Sequence, residues 1–188
     1  MTINARGFVT DNEHVVHEWA MFQLVQRHVT SPQGVSFERT FVHTPGAVAT
    51  VAVSENGEIA FVEQYRASFG GYVLEIPAGM RDVDGEDPAV TARRELREEA
   101  GVDASHIEFL GECLSSPGVT DSSVLVYLAT GLTQVGMEPH GPEEDEMLLH
   151  WISFHTALAM VENGQIADAK SAYGILLAAR RHPELVRE

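Results

Sequence analysis

The sequence predicts an α/β fold in which helices cover a partly antiparallel sheet. Short segments with strand character alternate with a few helical segments along the chain, which is typical of an α/β sandwich. The 188 residues, 44% of them hydrophobic, suffice for one domain with a sizeable core and a short appendage. No internal repeat, low-complexity run or long linker indicates a second separate domain.

The N-terminal segment is predicted to be a polar start followed by a β-hairpin. Residues 1–13 are expected to be loosely held. "WAMFQLVQRHVT" (residues 19–30) and "VSFERTFVHT" (residues 35–44) have strand character and are separated by the turn-forming "SPQG". An isolated two-stranded hairpin is marginally stable, so this one is expected to lie on another surface.

The next segment is predicted to contribute three more strands. "GAVATVAV" (residues 46–53) has the composition of a buried strand, and "IAFVEQYR" (residues 59–66) is predicted to be its hairpin partner across "SENGE". "YVLEIPAG" (residues 72–79) is a further short strand, closed by Pro77 and Gly79.

A helix is predicted from about residue 88 to residue 100. Asp87 is a good N-cap, Pro88 suits the first helical position, and Gly101 ends the helix. Beyond it, "IEFLGECLSS" and "SSVLVYLATGL" are predicted strands around the loop "SPGVTD", an acidic loop covers residues 138–146, and "MLLHWIS" is a strand. Two helices, "FHTALAMVENG" and "DAKSAYGILLAARRH", complete the chain.

Charge and composition disfavour several classes of partner. The formal net charge of −16 disfavours binding to nucleic acid and to anionic membrane surfaces. An anionic substrate would need a positive group between it and the protein, and a divalent cation is the simplest candidate. Cys113 is the only cysteine, and neither a secretory signal nor a stretch long enough to span a bilayer is evident. These features predict a cytoplasmic protein.

Three glutamates crowd one edge of the predicted helix. Glu95, Glu98 and Glu99 fall within an arc of roughly 100°, beside a stripe of alanine and leucine that can be buried. Like charges at this spacing repel by a few tenths of a kcal/mol each. One interpretation assigns no function to the glutamates: the helix is solvated and its arginines screen the acids. The alternative is a site for Mg²⁺ or Mn²⁺, which require converging oxygen ligands.

A longer motif favours the metal site. Glu86, seven residues and "RELREEAGV" (residues 94–102) resemble the Nudix box of the Nudix hydrolases. The chain departs from the box at its start, where six residues rather than five separate Gly79 from Glu86. "FVEQYR", "LEIPAG", "SPGVTD" and "GQIADAKSAYGILLAARR" are similar to the ADP-ribose pyrophosphatase branch, although Ser122 stands where many relatives carry glutamate.

The resemblance implies a fold and an assembly. The expected fold is a Nudix-type α/β/α sandwich with a mixed sheet and an N-terminal β-hairpin extension. Residues 1–44 would hold the hairpin and form a homodimer, and residues 45–188 would form the Nudix hydrolase domain. Arg39 would then act in the neighbouring subunit's site.

The resemblance also implies the roles of the box residues. Glu95 and Glu99 would bind Mg²⁺ or Mn²⁺, two or more ions per site, and Glu98 would do so directly or through water. The carbonyl of Ala78 would be a further ligand. Gly79, Glu86 and Arg94 would support the site, with Arg94 paired to Glu86.

The general base is expected in the acidic loop. The family's spacing selects Glu144 as base beside Glu98 and Glu99, with Glu146 as a metal contact. Glu143 is the fallback, and all of these acids could instead be a solvated loop. His140 and His150 are alternatives, although a single histidine is more often structural.

The expected substrate is a nucleoside diphosphate. Arg66 and Arg39 match arginines that contact the diphosphate or the terminal ribose, and Glu75 would accept hydrogen bonds from ribose or adenine. Phe22 could stack on adenine, although a phenylalanine in a strand is more often core.

The resemblance therefore implies hydrolysis of ADP-ribose to AMP and ribose 5-phosphate. Another nucleoside-diphosphate sugar, a dinucleotide or a damaged nucleotide is the alternative substrate. A Nudix fold that senses a ligand without catalysis is the alternative class.

Overall fold

The computed structural model describes residues 5–136 and 146–186, and these form two compact units. The smaller unit contains the chain up to Gly46 together with Leu114–Ser123, and the larger contains Ala47–Cys113 and the chain from Val124 onward.

The strands are β1 (Val9–Trp19), β2 (Phe22–Thr30), β3 (Ser36–His43), β4 (Ala47–Ala52), β5 (Glu58–Arg66), β6 (Gly71–Glu75), β7 (Ala78–Met80), β8 (Val102–Leu114), β9 (Ser123–Gln134) and β10 (Leu148–Ser153). The helices are α1 (Pro88–Ala100), α2 (Phe154–Glu162) and α3 (Ala169–Arg181), followed by a 3₁₀ turn (Pro183–Val186). Among the described helices, none is long and apolar enough to cross a membrane.

The smaller unit is a three-stranded antiparallel sheet in the order β1-β2-β3. The predicted hairpin is confirmed, because β2 and β3 pair from Gln23↔His43 to Thr30↔Ser36. The prediction of a loosely held start is wrong from Val9 onward, where β1 begins and pairs with β2. Every residue of β1 is exposed. The strand therefore has no buried face, and alternation of polar and apolar residues could not indicate it.

The larger unit contains two sheets. A four-stranded sheet has the order β7-β4-β9-β8, with β4 parallel to β9 and antiparallel to β7. A three-stranded antiparallel sheet has the order β10-β5-β6. The predicted mixed sheet is therefore present.

The side chains of β4 divide the larger unit into layers. Ala49 and Val51 belong to the core formed with α2 and α3, whereas Val48 and Ala52 belong to the clusters that contain the buried residues of α1. Successive side chains of a strand point to opposite faces. Helix α1 thus covers one face and α2 and α3 the other, as the predicted α/β/α sandwich requires.

Two predicted strand arrangements are wrong. β4 and β5 are not a hairpin, since they lie in different sheets and only an isolated bridge joins Val53 to Ile59. Both edges of β4 are occupied by β7 and β9, which leaves no edge for β5. The predicted strand over residues 72–79 is two strands that pair with β5 and β4 respectively. Pro77 lies between them and has no N–H to donate to a ladder.

Helix α1 has the predicted bounds and caps. The Asp87 side chain accepts a hydrogen bond from the Ala89 N–H at 2.8 Å. Gly101 adopts a left-handed conformation with φ 63°, and its N–H donates to the Arg97 carbonyl. The helix buries Ala92, Leu96 and Ala100, which fixes the glutamate edge relative to the sheet.

Candidate active site

The glutamate edge of α1 packs against the backbone of β7. Glu95 and Glu99 are 8% and 4% exposed. The Ala78 N–H donates a hydrogen bond of 2.9 Å to Oε2 of Glu99. At Gly79, an added Cβ would lie 2.0 Å from Cδ of Glu95, so only glycine lets the carboxylate approach this closely. Burying carboxylates is costly unless positive charge compensates them.

Arg94 supplies part of that compensation. Its Nη1 lies 2.8 Å from Oε1 of Glu95 and 3.2 Å from Oε2 of Glu98. Its Nη2 lies 3.3 Å from Asp82 and 3.6 Å from Glu86, the partner expected from the sequence. Burial lowers the pKa of Arg94, but these carboxylates outweigh burial and raise it. One guanidinium thus holds four carboxylates, which leaves the group negatively charged.

The donor set fits a divalent cation in its chemistry. Glu95, Glu98, Glu99 and the backbone of Ala78 offer hard oxygen atoms of the kind that Mg²⁺ and Mn²⁺ select. Glu95 and Glu98 contact Arg94 and Glu99 accepts from the Ala78 N–H, and in the described residues no group of three or more His, Cys, Asp or Glu is arranged to hold a metal ion.

A second group of charges lines a cavity of about 660 Å³ in the larger unit. Arg66 donates from Nε to Oε1 of Glu75 at 2.7 Å and from Nη2 to Oε2 at 2.8 Å. Lys170 also donates to Oε2 of Glu75 and lies 3.0 Å from Asp168, the N-cap of α3. Phe69, at the turn between β5 and β6, lines the same cavity and is 83% exposed.

The charges in this cavity shift each other's pKa. Burial raises the pKa of Glu75, but hydrogen bonds and charge from Arg66 and Lys170 lower it below its ordinary value. The hydrogen bond to Glu75 raises the pKa of Arg66, with smaller contributions from the charges of Glu99 and Asp168. The charge of Glu99 on α1 therefore favours the protonated form of Arg66.

Arg39 lies in the smaller unit, on the wall of a separate cavity of about 620 Å³. It is directly opposite Arg27 across β2 and β3, and both arginines stack on phenylalanine rings. Like charges directly opposite each other destabilise a sheet. Arg27 has Glu13 at 2.6 Å, but among the described residues no carboxylate forms an ion pair with Arg39. Phe22, the candidate for stacking, packs against Trp19 with ring centroids 6.0 Å apart.

Glu143, Glu144 and His140 lie outside the described residues. Glu146 is exposed just before β10. His150 lies on β10 with Nε2 3.0 Å from Oε2 of Glu63.

Residues 43–172 match the family model for the NUDIX domain, which covers more than half of the chain. The chain belongs to the NUDIX family. The ADP-ribose pyrophosphatase of Mycobacterium tuberculosis is 41% identical over 169 residues, covering 90% of this chain and 82% of that protein. The ADP-ribose pyrophosphatase of Bacillus subtilis is 36% identical over 155 residues, covering 82% and 83%.

A solved structure described as an ADP compounds hydrolase has the same fold. It superimposes with a TM-score of 0.82 over all of both chains, at 19% sequence identity. The family predicted from the motif is confirmed by the family model, and the glutamates of α1 lie within the residues that it matches. Nudix hydrolases generally need divalent metal ions, which agrees with the donor set on α1.

Lys170 is not among the site residues predicted from the sequence. Its segment "ADAKSAYG" is a predicted helix and part of the resemblance to the ADP-ribose pyrophosphatase branch, whereas the fold brings the Lys170 ammonium group to Glu75. One signal could have identified it, because Lys170 is the only lysine in the chain.

Proposed function

We propose that this Nudix protein hydrolyses the diphosphate of ADP-ribose and releases AMP and ribose 5-phosphate. The observation that carries the proposal is the burial of Glu95 and Glu99 against β7, in the same unit as a cavity lined by Arg66, Glu75 and Lys170. The names of the two pyrophosphatase relatives support the choice of substrate.

The reaction would depend on Mg²⁺ or Mn²⁺, with two or more ions per site. Glu95, Glu98, Glu99 and the Ala78 carbonyl would hold them, with Glu146 as a further contact. A bound ion neutralises the diphosphate and polarises the reacting phosphorus. Gly79 would keep the Glu95 carboxylate against β7, and Arg94 and Glu86 would keep α1 oriented.

The protein groups would position the substrate and move one proton. Water adds to a phosphorus atom, the bond to the bridging oxygen breaks, and the departing phosphate ester takes that oxygen. Glu144 would accept the proton of the water, with Glu143 as the alternative. Glu98 and Glu99 would act beside this base. Positioning of the water and the diphosphate would supply most of the rate acceleration.

Two arginines would contact the substrate. Arg66 would donate to diphosphate or ribose oxygens in its cavity, and Arg39 would do so from the smaller unit. Glu75 is buried and already accepts from Arg66 and Lys170. Its main contribution would therefore be to hold these cations, with its remaining acceptor capacity available to a ribose or adenine donor.

The proposed assembly is a homodimer formed through residues 1–44, in which Arg39 acts in the neighbouring subunit. The exposed apolar residues of β1, among them Val15, Val16 and Trp19, support an interface on this segment. The single cysteine supports action in the reducing cytoplasm.

A substrate panel tests the proposal. The purified protein is incubated with Mg²⁺ and ADP-ribose, ADP-glucose, NADH, diadenosine polyphosphates or 8-oxo-dGTP, and released AMP or phosphate is measured. ADP-ribose should be turned over best. Turnover of the other compounds alone would overturn the substrate, and turnover of none would overturn the enzyme in favour of a ligand sensor.

The Glu99→Gln variant tests the metal role in the same assay. Glutamine keeps an acceptor for the Ala78 N–H but removes a buried negative charge, so thermal stability without metal should be unchanged or higher. Turnover should fall by about two orders of magnitude or more because a metal ligand is lost. A large loss of stability instead would make Glu99 a structural residue.

A further inference from the structure

The only lysine of the chain stands at the cavity wall of the larger unit. All other positive side chains are arginines. Arginine therefore serves nearly everywhere that this protein uses a positive charge, yet position 170 carries an ammonium group. The Lys170 side chain is 15% exposed, so the group is mostly enclosed by protein. Because lysine occurs only here and its side chain is mostly enclosed, we expect position 170 to need the shape of the ammonium group.

That geometry is a bridge between two carboxylates. The Nζ of Lys170 donates to Oε2 of Glu75 at the end of β6 and lies 3.0 Å from Oδ2 of Asp168. Asp168 in turn caps α3 by accepting from the Ser171 N–H. The ammonium is a compact charge with three rotatable donors, so it can serve two carboxylates that approach from different directions, whereas the donors of a guanidinium are fixed in one plane.

The bridge shares the Glu75 carboxylate with Arg66. Glu75 takes up the Nε and Nη2 donors of Arg66, and Lys170 holds Oε2 of the same carboxylate. The Nη1 group of Arg66 has no hydrogen-bond partner within the described part of the chain. Since Arg66 lines the cavity and is 36% exposed at its side chain, that group is available to a ligand.

We propose that Lys170 is a positioning residue that fixes Glu75, so that Arg66 presents Nη1 to the acceptor oxygens of the bound substrate. The inference rests on the proposed function, because it names ADP-ribose as that substrate. Lys170 acts through Glu75 and Arg66 and supplies binding in the ground state. Its loss should therefore weaken substrate binding more than it slows the chemical step.

Kinetics of Lys170→Met test the inference. The KM for ADP-ribose should rise about tenfold while kcat stays within about threefold, the pattern of lost ground-state binding. Arg180→Met is the matched control, since it removes one positive charge from an exposed position on the same helix. It should leave KM unchanged. A fall in kcat with constant KM, or an equal rise of KM in both variants, would overturn the proposal.

A double-mutant cycle tests whether Lys170 acts through Glu75. The double variant Lys170→Met, Glu75→Gln should have a KM no higher than that of Glu75→Gln alone, because the lysine then has no carboxylate to fix. Multiplicative effects of the two substitutions on KM would show independent roles and overturn the proposal.

Chemical rescue separates geometry from folding. In a Cys113→Ser background, Lys170→Cys is alkylated with 2-bromoethylamine, which restores an ammonium group of nearly the lysine length. Iodoacetamide gives the matched neutral side chain. Restoration of the low KM by bromoethylamine alone supports positioning by a compact cation. Equal KM values after both treatments would overturn it.

Calorimetry distinguishes failure of this inference from failure of the proposed function. ADP-ribose is titrated into the unmodified protein and Lys170→Met in the absence of metal. No heat of binding with the unmodified protein, together with turnover of a different panel compound, would overturn the substrate, and the kinetic tests would then be made with that compound. Equal affinity for both proteins would overturn the role of Lys170.

Discussion

Gly79 illustrates, at the scale of single residues, how the absence of a side chain shapes the site. The Glu95 carboxylate occupies the space that a Cβ at position 79 would fill, with both carboxylate oxygens within 2.3 Å of it. The motif indicated a glycine near this position, but its reason becomes visible only when β7 and α1 are placed together. A sequence pattern can indicate that a glycine is needed, whereas only the fold shows which group it admits.

Gly79→Ala should displace Glu95 and reduce turnover strongly. The added methyl group cannot share space with the carboxylate, so either β7 or the Glu95 side chain must move, and misplacement of about 1 Å can cost about a hundredfold in rate. Gly71→Ala is the matched control, because Gly71 also lies in a strand and an added Cβ meets nothing within 4 Å. Steady-state kinetics of both variants check this. Equal activity of the two would contradict the packing argument.

Glu75 should make stability depend on pH in a defined direction. Arg66 and Lys170 lower its pKa in the folded protein from the ordinary value of 4.5, against the opposing effect of burial. The stabilisation by ionised Glu75 is therefore present above about pH 4.5 and is lost as the pH falls through the folded-state pKa. The difference in free energy of unfolding between the unmodified protein and Glu75→Gln should shrink in that window.

Urea denaturation at pH 7, 5, 4 and 3 measures this difference. Arg66 and Lys170 lose a charged partner in Glu75→Gln, so the variant should be the less stable protein at pH 7. A difference that stays constant from pH 7 to pH 3 would show that the carboxylate charge of Glu75 does not stabilise the fold.

At the scale of elements, the sequence predicts those features that depend only on residues close together along the chain. The predicted bounds of α1, about residue 88 to residue 100, are confirmed because Asp87, Pro88 and Gly101 act on their own neighbours along the chain. Strand pairing is not local. The adjacency of β4 and β5 in sequence suggested a hairpin, but β4 pairs in parallel with β9, about seventy residues further on. β1 gave no periodic signal because both of its faces are exposed.

The N-cap of α1 should contribute measurably to stability. Asp87→Ala removes the acceptor of the Ala89 N–H and should lower the free energy of unfolding by about 1 kcal/mol. Asp84→Ala in the preceding exposed loop is the matched control, since it changes the charge equally without removing a cap. Chemical denaturation of both variants gives the comparison. A loss of the same size in both would mean that charge and not capping is responsible.

At the scale of the whole molecule, the few positive groups lie in different charge environments. The chain has a net charge of −16, so a positive side chain is uncommon in it. Arg94 and Lys170 both lie among carboxylates in the larger unit, and Arg39 lies in the smaller unit without a carboxylate partner in the described residues. The sequence predicted the acids of α1 and both arginines, but not Lys170. Its contacts join segments 95 residues apart, which no local pattern records.

Mixing two inactive variants tests whether Arg39 acts in the neighbouring subunit. Arg39→Ala and Glu99→Gln should each be nearly inactive as homodimers. In a mixed dimer, one site combines intact Glu99 with intact Arg39 from the other subunit, so random exchange of subunits should restore about one quarter of full activity. The mixture is denatured, refolded and assayed with ADP-ribose, with each variant refolded alone as the control. An arginine that serves its own subunit would give no restoration, because every mixed site would lack either Glu99 or Arg39.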